Sequence, residues 1–475
     1  MTTTSESFDV AIIGAGTAGL AALREVRRAT ENFVLINDGP FGTTCARVGC
    51  MPSKALIEVA KALHQRDFLA DAGIAGTAAL KVDRPAVLRR VRELRDAYVR
   101  GVLKVTDELG ERVIAGRARF VAPDTLAVGD RRLRARHVII ATGSRPVVPQ
   151  PWRELGERIL TSDTLFEQET LPDRIAVVGL GAIGVEMAQA LARLGIAVTG
   201  FDAAERVAGL SDPAVNARAV GIFAEEFPLH LGQPAELSRA EEGAIRVSAG
   251  STGVEVDAVI AALGRRPNLD GLGLEAIGIA LDDRGRPPFD PGTLRIPGFA
   301  ISITGDVNGM RPLLHEAADE GYIAGYNALR DAPECFTRRV PLGIVFSDPN
   351  IAVVGRRFED LDQDQTVIGE VDLQGQGRLR MAGADRGLIR LYADVREGRL
   401  LGVELCCPHG EHLAHLLALA IQQGLTVREL LRMPFYHPVV EEGLRGALRE
   451  AAGQLADDRT PDLAHCGRLG AEALD

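Results

Sequence analysis

Apolar runs along the chain alternate with glycine-rich turns and with segments of helical periodicity. Residues 9–13 are mostly apolar, glycines recur over the next six positions, and a second apolar run follows at 33–36. This order predicts a buried strand, a tight turn, a helix and a second, parallel strand. The glycines stand as Gly-x-Gly-x-x-Gly at Gly14, Gly16 and Gly19. That spacing lets the backbone and a helix N-terminus approach a dinucleotide pyrophosphate.

The same order returns later in the chain. Its apolar runs lie at 174–178 and 197–201, and the glycines between them are Gly179, Gly181 and Gly184. Each copy also has a later apolar strand that ends in glycine and a basic-Pro pair, at 138–146 and at 259–268, the second containing Gly264. One such glycine motif is weak evidence, but two in the same strand, turn and helix context predict two separate dinucleotide-binding βαβ folds.

The remaining pattern predicts further elements. A helical period at 83–109 belongs to the first lobe, residues 146–151 form a proline-rich linker, and an apolar strand at 299–306 ends on Gly-Asp. From about residue 341, short apolar runs predict an antiparallel sheet and then two helices. The strands are expected at 344–346, 351–354, 387–393 and 400–405, and the helices at 411–423 and 427–431. The polar tail after Glu450 is expected to be loosely ordered.

Composition and charge narrow the class of protein. The chain has 475 residues, too many for one hydrophobic core, and its 46% hydrophobic and 25% charged residues are ordinary for a soluble globular protein. A net charge of −11 argues against nucleic acid as a partner. The N-terminus shows no signal-peptide pattern, and the longest apolar stretch, 175–185, is too short to span a bilayer. We therefore expect a cytoplasmic protein with no membrane partner, a setting in which a cysteine pair is more often catalytic than structural.

Cys45 and Cys50 stand five residues apart, shortly after the first glycine turn. Five residues of regular helix rise about 7.5 Å, whereas a disulfide needs its Cα atoms roughly 4.4–6.8 Å apart. The backbone therefore has to bend between the cysteines, and Gly49 supplies freedom for that bend. By itself the pair fits two unrelated buried thiols equally well, but the nucleotide motifs and a late His-Pro-x-x-x-Glu favour a redox disulfide. The other cysteines show no metal-ligand spacing, so we expect no metal.

The residue at the end of each second strand indicates which cofactor binds. Asp202 stands where an acid bonds the ribose 2′-hydroxyl and repels a 2′-phosphate, which predicts NAD(H) over NADP(H). Arg206 lies a turn later, where a cation would soften that preference. Asn37 holds the corresponding place in the first lobe and offers a ribose a hydrogen bond without charge.

Together these motifs carry a family resemblance. The chain resembles the pyridine nucleotide-disulfide oxidoreductases, the flavoenzyme family that includes dihydrolipoamide dehydrogenase, glutathione reductase and mercuric reductase. The motifs that carry the resemblance are the stretch from Cys45 to Lys54, both glycine turns, Ala141-Thr142-Gly143, Gly305-Asp306 and the motif at 437–442. The resemblance covers residues 9 to about 450. It implies an α/β fold with two Rossmann-like domains, as in glutathione reductase, and an α+β dimerisation domain. It also implies bound FAD, NAD(H), and a homodimer in which the partner subunit completes each active site.

The resemblance further implies the domains and the residues that hold FAD. The expected segments are 1–147 for FAD and the redox disulfide, 148–273 for NAD, 274–342 completing the FAD domain, and 343–475 for dimerisation. Besides the first glycine turn and Asn37, the FAD site is expected to include Thr44, Lys54, Ala118, Thr142, Gly143 and Asp306, of which Asp306 binds the ribityl chain. The NAD site is expected to include the second glycine turn, Asp202 and Gly264.

The catalytic roles are implied in the same way. Cys50 resembles the thiol beside the flavin, and Cys45 resembles the interchange thiol that attacks the substrate disulfide. Lys54 falls where the family places a lysine near the flavin, and Glu186 where an acid pairs with that lysine. Such a pair would tune the flavin and help to seat the nicotinamide.

His437 and Glu442 complete the expected catalytic set. A thiolate, not a thiol, is the nucleophile in disulfide exchange, so His437 is expected to act as general base toward Cys45 and as acid toward the leaving thiol. Glu442 is expected to orient the imidazole and to stabilise its charged form. The chain departs from the family pattern at Thr43, where a glycine is usual, and at Val439, where a threonine is usual. Because of these departures, the motifs do not identify which disulfide is bound.

We expect an FAD-dependent, NAD-linked disulfide oxidoreductase whose activity is that of dihydrolipoamide dehydrogenase, with a lipoyl group as substrate. The NAD-type Asp202, and the lack of a visible charged pocket for a peptide substrate, favour this activity. The absence of an appended metal-binding domain counts against mercuric reductase. The alternatives are a reductase of glutathione or another small disulfide, a flavin transhydrogenase or oxidase that does not use the cysteine pair, and a non-enzymatic subunit that keeps the fold.

Overall fold

The computed structural model describes residues 5–456 and residue 463. The strands are β1 Ser5–Ile13, β2 Phe33–Asn37, β3 Val113–Ala115, β4 Ala118–Ala122, β5 Thr125–Val128, β6 Arg131–Ile140, β7 Ser144–Pro146, β8 Ile159–Leu160, β9 Arg174–Val178, β10 Ala197–Asp202, β11 Leu229–Leu231, β12 Glu236–Arg239, β13 Ile245–Ala249, β14 Thr252–Val256, β15 Ala258–Ala261, β16 Arg265–Pro267, β17 Ile301–Ile303, β18 Leu342–Val345, β19 Asn350–Gly355, β20 Thr366–Asp372, β21 Leu388–Asp394 and β22 Leu400–Cys407. The α-helices are α1 Thr17–Ala29, α2 Thr44–Arg47, α3 Cys50–Asp71, α4 Arg84–Asp107, α5 Gln150–Arg153, α6 Ser162–Leu165, α7 Ala182–Arg193, α8 Pro213–Ala224, α9 Leu314–Asn327, α10 Gly377–Met381, α11 Gly410–Gln422, α12 Val427–Leu431 and α13 Glu441–Gly453.

The first compact unit comprises Met1–Leu56, Asp83–Leu171 and Val259–Arg338. Its main sheet has the order β3-β2-β1-β6-β5-β4. Strands β3, β2, β1 and β6 run parallel, and the long β6 changes partner along its length. Its first residues pair antiparallel with β5, whereas its last residues pair parallel with β17. The parallel strands therefore end together at one edge of the sheet, next to the first glycine turn.

Strand β1 is buried on both faces, as its continuous apolar run predicts. Val10 and Ile12 pack into one core cluster, and Ala11 and Ile13 pack into the other. The cluster around Val10 also receives buried side chains from α1 and α9. Because successive side chains of a strand point to opposite faces, this division between two clusters indicates that both faces of the sheet are covered.

The second compact unit comprises Ile57–Val82, Pro172–Ala258 and Arg339–Asp475. Strands β11, β10 and β9 pair parallel in that order, and β12, β13 and β14 form an antiparallel sheet. The C-terminal part forms a five-stranded antiparallel sheet with the order β18-β19-β22-β21-β20. Helices α11, α12 and α13 contribute to the core of this sheet. Both predicted βαβ units and the predicted helix at 83–109 are thus present.

The C-terminal part contains one more strand than the sequence predicts, β20, and two more helices, α10 and α13. Strand β20 was missed because Gly369 weakens the strand signal in its middle. A Cβ at Gly369 would lie 2.9 Å from the carbonyl carbon of Ala447 and 2.9 Å from the Cβ of Ala451. The glycine is therefore required by close packing against α13.

Two further expectations concern the linker and the tail. The predicted linker at 146–151 is shorter than expected, because Pro146 pairs with Arg265 in the β7–β16 ribbon and α5 begins at Gln150. The tail remains helical to Gly453, and beyond 456 only residue 463 lies inside the described part. The segment boundaries after 147, 273 and 342 stay predictions. Over the described residues, no helix has the length and apolar character needed to cross a membrane.

Candidate active site

The first glycine turn connects β1 to α1 and leaves room beside the helix N-terminus. Gly14 has a φ of 111°, and a Cβ there would lie 2.7 Å from the carbonyl carbon of Ala141. A Cβ at Gly19 would lie 3.0 Å from the carbonyl carbon of Gly14. Gly16 differs, because it caps α1 without a side-chain hydrogen bond and a Cβ there would meet no atom within 4 Å. Two glycines are thus needed for packing, and the third leaves open space at the positive end of a helix, which fits a pyrophosphate.

The second glycine turn repeats this arrangement in the second unit. Gly179 has a φ of 93°, and its N–H donates to the carbonyl oxygen of Phe201 at 2.8 Å. Gly181 caps α7 without a side-chain hydrogen bond, and a Cβ there would also meet no atom within 4 Å. Gly184 is buried one turn into the helix. The residues present therefore fit a second dinucleotide.

Asn37 and Asp202 occupy equivalent places at the ends of β2 and β10. The Asn37 Oδ1 accepts a hydrogen bond from the Ala15 N–H at 3.0 Å, and the Asp202 Oδ2 accepts one from the Leu180 N–H at 2.6 Å. Each donor is the residue that follows the first glycine of its turn. The second Asp202 oxygen accepts from the Ala204 N–H at 2.8 Å. Both side chains thus lie against their glycine turns, at the position predicted to contact a ribose.

Asp306 lies at the end of β17 and is linked to the segment that follows β6. Ser144 donates its hydroxyl to the Asp306 Oδ2 at 2.7 Å, and the Arg265 Nε donates to the Ser144 Oγ at 2.8 Å. The sequence analysis did not assign Ser144 a role, although it follows the Thr142-Gly143 pair directly. The structure therefore brings Asp306 and the Ala141-Thr142-Gly143 motif together across 162 residues of sequence.

Thr142 is hydrogen-bonded to Asn268, whereas Gly143 and Gly264 both leave open space. The Thr142 hydroxyl donates to the Asn268 carbonyl oxygen at 2.7 Å, and the Asn268 Nδ2 donates back to the Thr142 carbonyl oxygen at 3.0 Å. Gly143 has a φ of 66° and Gly264 a φ of 93°, and a Cβ on either would meet no atom within 4 Å. The two glycines therefore permit close approach of a ligand to the backbone.

Ala118 is placed less directly than the other predicted FAD residues. Its side chain is buried in the hydrophobic core of the first unit. The segment before it lies beside the end of β2, because the Gly116 N–H donates to the Asn37 carbonyl oxygen at 2.9 Å. Only the backbone of Ala118, not its side chain, is therefore suited to contact a cofactor.

The segment before the first cysteine is strained. Thr43 has φ 59° and ψ 148°, a conformation in which glycine is usual and which costs other residues about 1–3 kcal/mol. Its side chain compensates in part, because the Thr43 Oγ1 caps α2 by accepting from the Ala46 N–H at 3.2 Å. Thr44 is the first residue of α2, and its carbonyl oxygen accepts from the Val48 N–H at 2.9 Å. The unusual threonine thus fixes the start of the short helix that carries Cys45.

Cys45 and Cys50 lie side by side as two half-buried thiols. A hydrogen bond to Cys50, burial and the negative charge of Cys50 raise the pKa of Cys45, while the charge of Lys54 lowers it by a smaller amount. Gly49 has an ordinary φ, but a Cβ there would lie 3.1 Å from the Thr44 carbonyl oxygen and 3.2 Å from the Cys45 Cα. Gly49 therefore serves close approach of the two cysteine segments rather than a left-handed bend.

Cys50 is also the first residue of α3. A helix N-terminus stabilises a nearby thiolate, whereas Cys45 retains its proton because its pKa is raised by Cys50. The two thiols therefore lie in different surroundings: Cys50 begins a helix, whereas the contact with Cys50 and burial raise the pKa of Cys45.

His437 and Glu442 form a hydrogen-bonded pair in the second unit. The His437 Nδ1 lies 3.0 Å from the Glu442 Oε1 and 3.2 Å from the Oε2. The Val439 N–H also donates to Glu442 at 3.2 Å. The hydrogen bond from His437 is the largest cause that lowers the pKa of Glu442, so the carboxylate stays charged near neutral pH. The imidazole itself is 79% exposed, which suits a base that works on a group brought to it from outside.

Glu186 is buried on α7 with 5% of its surface exposed. Its Oε1 accepts a hydrogen bond from the Phe346 N–H at 2.9 Å. Phe346 could not be identified from the sequence, since 160 residues separate it from Glu186 and no local pattern connects them. The first unit thus holds Cys45, Cys50 and Lys54 with the predicted FAD residues. The second unit holds Glu186, Asp202, His437 and Glu442.

No group of three or more histidine, cysteine or acidic side chains suited to a metal ion occurs within residues 5–456. Cys406 and Cys407 are fully buried in the second unit, and burial raises the pKa of Cys406 to about 12. Their burial fits a packing role for these two thiols.

Comparison with known proteins identifies the family. The family model described as "Pyridine nucleotide-disulphide oxidoreductase" matches residues 8–321. The model of the dimerisation domain of the same family matches residues 342–448. The dihydrolipoyl dehydrogenase of Haloferax volcanii is 31% identical, over 94% of this chain and 96% of its own length. A mercuric reductase of Shigella flexneri is also 31% identical, over 94% of this chain and 81% of its own length.

Two solved structures show the same fold. LpdA from Mycobacterium tuberculosis superposes with a TM-score of 0.80 at 26% identity, covering 94% of this chain and 99% of its own. RclA from Escherichia coli, an HOCl-induced flavoprotein disulfide reductase, gives a TM-score of 0.82 at 24% identity, covering 93% of this chain and 99% of its own. At that identity RclA supports the fold alone.

Two dinucleotide-binding lobes with a thiol pair after the first glycine turn define a nucleotide-dependent oxidoreductase of sulfur groups. The chain belongs to the pyridine nucleotide-disulphide oxidoreductases. The predicted family and fold class are therefore confirmed, and the cofactors are FAD and a pyridine nucleotide. The individual roles of the site residues stay predictions.

Proposed function

We propose that the protein is a homodimeric dihydrolipoamide dehydrogenase that oxidises a dihydrolipoyl group with NAD⁺. The observation that carries the proposal is the hydrogen-bonded contact between the Cys45 and Cys50 thiols, which follow the first glycine turn. The dihydrolipoyl dehydrogenases aligned over nearly the full chain support the choice of substrate. The match of residues 342–448 to a dimerisation domain supports the homodimer. We propose a cytoplasmic location, where a redox cysteine pair is ordinarily catalytic.

The thiol pair would exchange electrons with the substrate as follows. With Cys45 and Cys50 joined in a disulfide, a substrate thiolate attacks the Cys45 sulfur, and Cys50 leaves as a thiolate. The second substrate thiolate then attacks the substrate sulfur of the mixed disulfide, which forms the cyclic substrate disulfide and expels Cys45 as a thiolate that takes up one proton. Two electrons and one proton then remain on the cysteine pair. The first glycine turn, Asn37 and Asp306 would hold FAD, which would supply the acceptor for this electron pair and its transfer to NAD⁺. The overall products would be lipoamide, NADH and a proton.

His437 supplies the proton transfer that this exchange needs. The raised pKa of Cys45 means that its thiol does not ionise by itself near neutral pH. A base must therefore remove or return protons at Cys45 and at the substrate sulfur. We propose that His437 of the second subunit performs this task, with Glu442 holding the Nδ1 side of its ring.

The preference for NAD(H) is proposed from the end of β10. A 2′-phosphate would approach the Asp202 carboxylate, which is repulsive. Arg206 could offset this repulsion, but its Nη1 forms an ion pair with the Glu359 Oε2 at 2.9 Å. Because Arg206 is paired with Glu359, it is less available to bind a 2′-phosphate, which supports NAD(H).

Steady-state kinetics on the purified holoenzyme test the proposal. Dihydrolipoamide with NAD⁺ is expected to give a higher kcat/KM than glutathione disulfide with NADPH or mercuric ion with NADPH. The Cys45→Ser variant should lose dihydrolipoamide oxidation by at least a thousandfold, yet it should still bind FAD and still be reduced by NADH. A Cys335→Ser variant serves as the matched control, because Cys335 is an exposed thiol of the same unit.

Three results would overturn the proposal. Higher kcat/KM with glutathione disulfide and NADPH would indicate a different disulfide reductase. Higher kcat/KM with mercuric ion would favour the activity named for the Shigella relative. Unchanged turnover in Cys45→Ser would indicate a flavin oxidase or transhydrogenase that does not use the pair.

A further inference from the structure

Helix α7 presents three buried polar side chains along one face. Glu186, Gln189 and Arg193 are 5%, 3% and 9% exposed, and they stand three and four residues apart, a spacing that places them on the same side of the helix. All three bond to the short turn 346–349 between β18 and β19. Burying three polar side chains destabilises the fold unless each of them is hydrogen-bonded. Their hydrogen-bond partners therefore indicate what these side chains do.

Gln189 holds the turn through its backbone. The Asp348 N–H donates to the Gln189 Oε1 at 2.8 Å, and the Gln189 Nε2 donates to the Asp348 carbonyl oxygen at 2.8 Å. The same Nε2 also donates to the Glu226 Oε1 at 2.8 Å. One amide thus engages both backbone groups of a single residue, which fixes the orientation of that peptide segment as well as its distance from α7.

Arg193 neutralises the charges that this arrangement buries. Its Nη1 donates to the Asp348 Oδ2 at 2.8 Å, and its Nε donates to the Glu226 Oε2 at 2.7 Å. Burial by itself would lower the pKa of Arg193, but the hydrogen bonds and charges of Glu226 and Asp348 outweigh it and raise that pKa. The guanidinium therefore stays charged and ties the turn to α7 from a second point.

The turn also closes on itself. The Ser347 hydroxyl donates to the Pro349 carbonyl oxygen at 2.7 Å, and the Asn350 Nδ2 donates to the Ser347 carbonyl oxygen at 2.9 Å. Ser347 is 2% exposed. A turn that is bonded internally and held at Asp348 leaves Phe346, two residues earlier, little freedom. The Phe346 N–H is the group that donates to Glu186.

We infer that Gln189 and Arg193 are positioning residues for Glu186. They hold the 346–349 turn so that the Phe346 N–H fixes the Glu186 carboxylate in one place. The inference rests on the proposed function and on the role that the family resemblance implies for Glu186, beside Lys54 where NADH and the flavin exchange electrons. It predicts that loss of the Gln189 amide impairs the nicotinamide half of turnover and leaves the thiol half largely intact.

The decisive variant is Gln189→Met, which keeps the length of the side chain and removes both of its bonds to Asp348. In anaerobic stopped-flow experiments on the holoenzyme, the rate of flavin reduction by NADH is expected to fall about tenfold. The rate of flavin reduction by dihydrolipoamide should change less than twofold. Tyr392→Phe is the matched control, since it removes one buried hydrogen bond in the same unit, to Asp212, and leaves the turn unchanged. It should alter neither rate.

A double-mutant cycle separates this inference from the proposed function. If Gln189 acts through Glu186, the loss in Gln189→Met combined with Glu186→Gln should be no larger than the loss in Glu186→Gln alone. Additive losses, or equal losses in both half-reactions, would overturn the inference and leave the proposed function in place. If Glu186→Gln does not slow reduction by NADH, then the role proposed for Glu186 itself is wrong, and the inference falls with it.

Discussion

Replacing Gly325 by alanine tests how closely α9 packs against α1 in the first unit. The two helices meet through small residues, and a Cβ at Gly325 would lie 2.5 Å from the Ala22 carbonyl oxygen and 2.9 Å from the Ala22 Cα. Real Cβ atoms almost never come within 3.0 Å of another atom, so the helices must separate by about 0.5 Å. The obstructing atoms belong to backbone, which cannot rotate out of the way.

The size of the effect follows from two opposing contributions. Alanine in a helix gains up to about 1 kcal/mol over glycine. Overpacking a tight interior costs about 1–3 kcal/mol, and an obstruction by backbone places Gly325→Ala at the upper end of that range. We therefore expect the free energy of unfolding to fall by about 2 kcal/mol. Because the N-terminus of α1 forms the first glycine turn, FAD affinity should fall as well.

Gly101→Ala is the control. Gly101 also lies within a helix, α4, but a Cβ there would meet no atom within 4 Å. This variant keeps the gain in helix propensity without the steric cost, so its stability should be unchanged or higher. Urea unfolding of the holoprotein, followed by fluorescence of Trp152 in the same unit, measures both. Equal stability of Gly325→Ala and Gly101→Ala would refute the steric reasoning.

Four further predictions, three substitutions and one pH dependence, concern the cofactor and proton-transfer sites. Asp202→Ala should raise the ratio of kcat/KM for NADPH over NADH at least tenfold in steady-state assays, because it removes the charge that repels a 2′-phosphate. Glu442→Gln should slow dihydrolipoamide oxidation at pH 7 tenfold or more, because His437 loses its charged partner. Since His437 lowers the pKa of Glu442 below 4.5, the wild-type pH–rate profile should show no loss from protonation of Glu442 until the pH falls below that value. Asn37→Ala should weaken FAD binding about tenfold in titrations of the apoprotein, because the Ala15 N–H loses its acceptor.

Each of the three substitutions has an outcome that would contradict its prediction. An unchanged nucleotide ratio in Asp202→Ala would place the ribose elsewhere. A Glu442→Gln variant with wild-type rates would show that the carboxylate does not assist His437. Unaltered FAD affinity in Asn37→Ala would mean that the glycine turn keeps its shape without the amide.

The sequence by itself determined the parts of the site that depend on neighbours along the chain. Glycine turns, the cysteine spacing and the strand–helix order are set by short-range sterics and by burial, so Gly14, Gly181 and the Cys45–Cys50 pair could be found from local pattern. The same holds for the antiparallel strands near the C-terminus, apart from β20. There Gly369 looked like a break in a strand, although it serves packing against α13.

Only the tertiary structure decided which distant groups meet. The bond from Phe346 to Glu186, the bond from Ser144 to Asp306 and the anchoring of Asp348 by Gln189 each join residues more than 150 positions apart. Such partners follow from how strands and helices pack, and no local propensity encodes that packing. The same is true of Gly49, whose role is to let two backbone segments approach. A sequence shows that a residue is small, but the fold decides what lies against it.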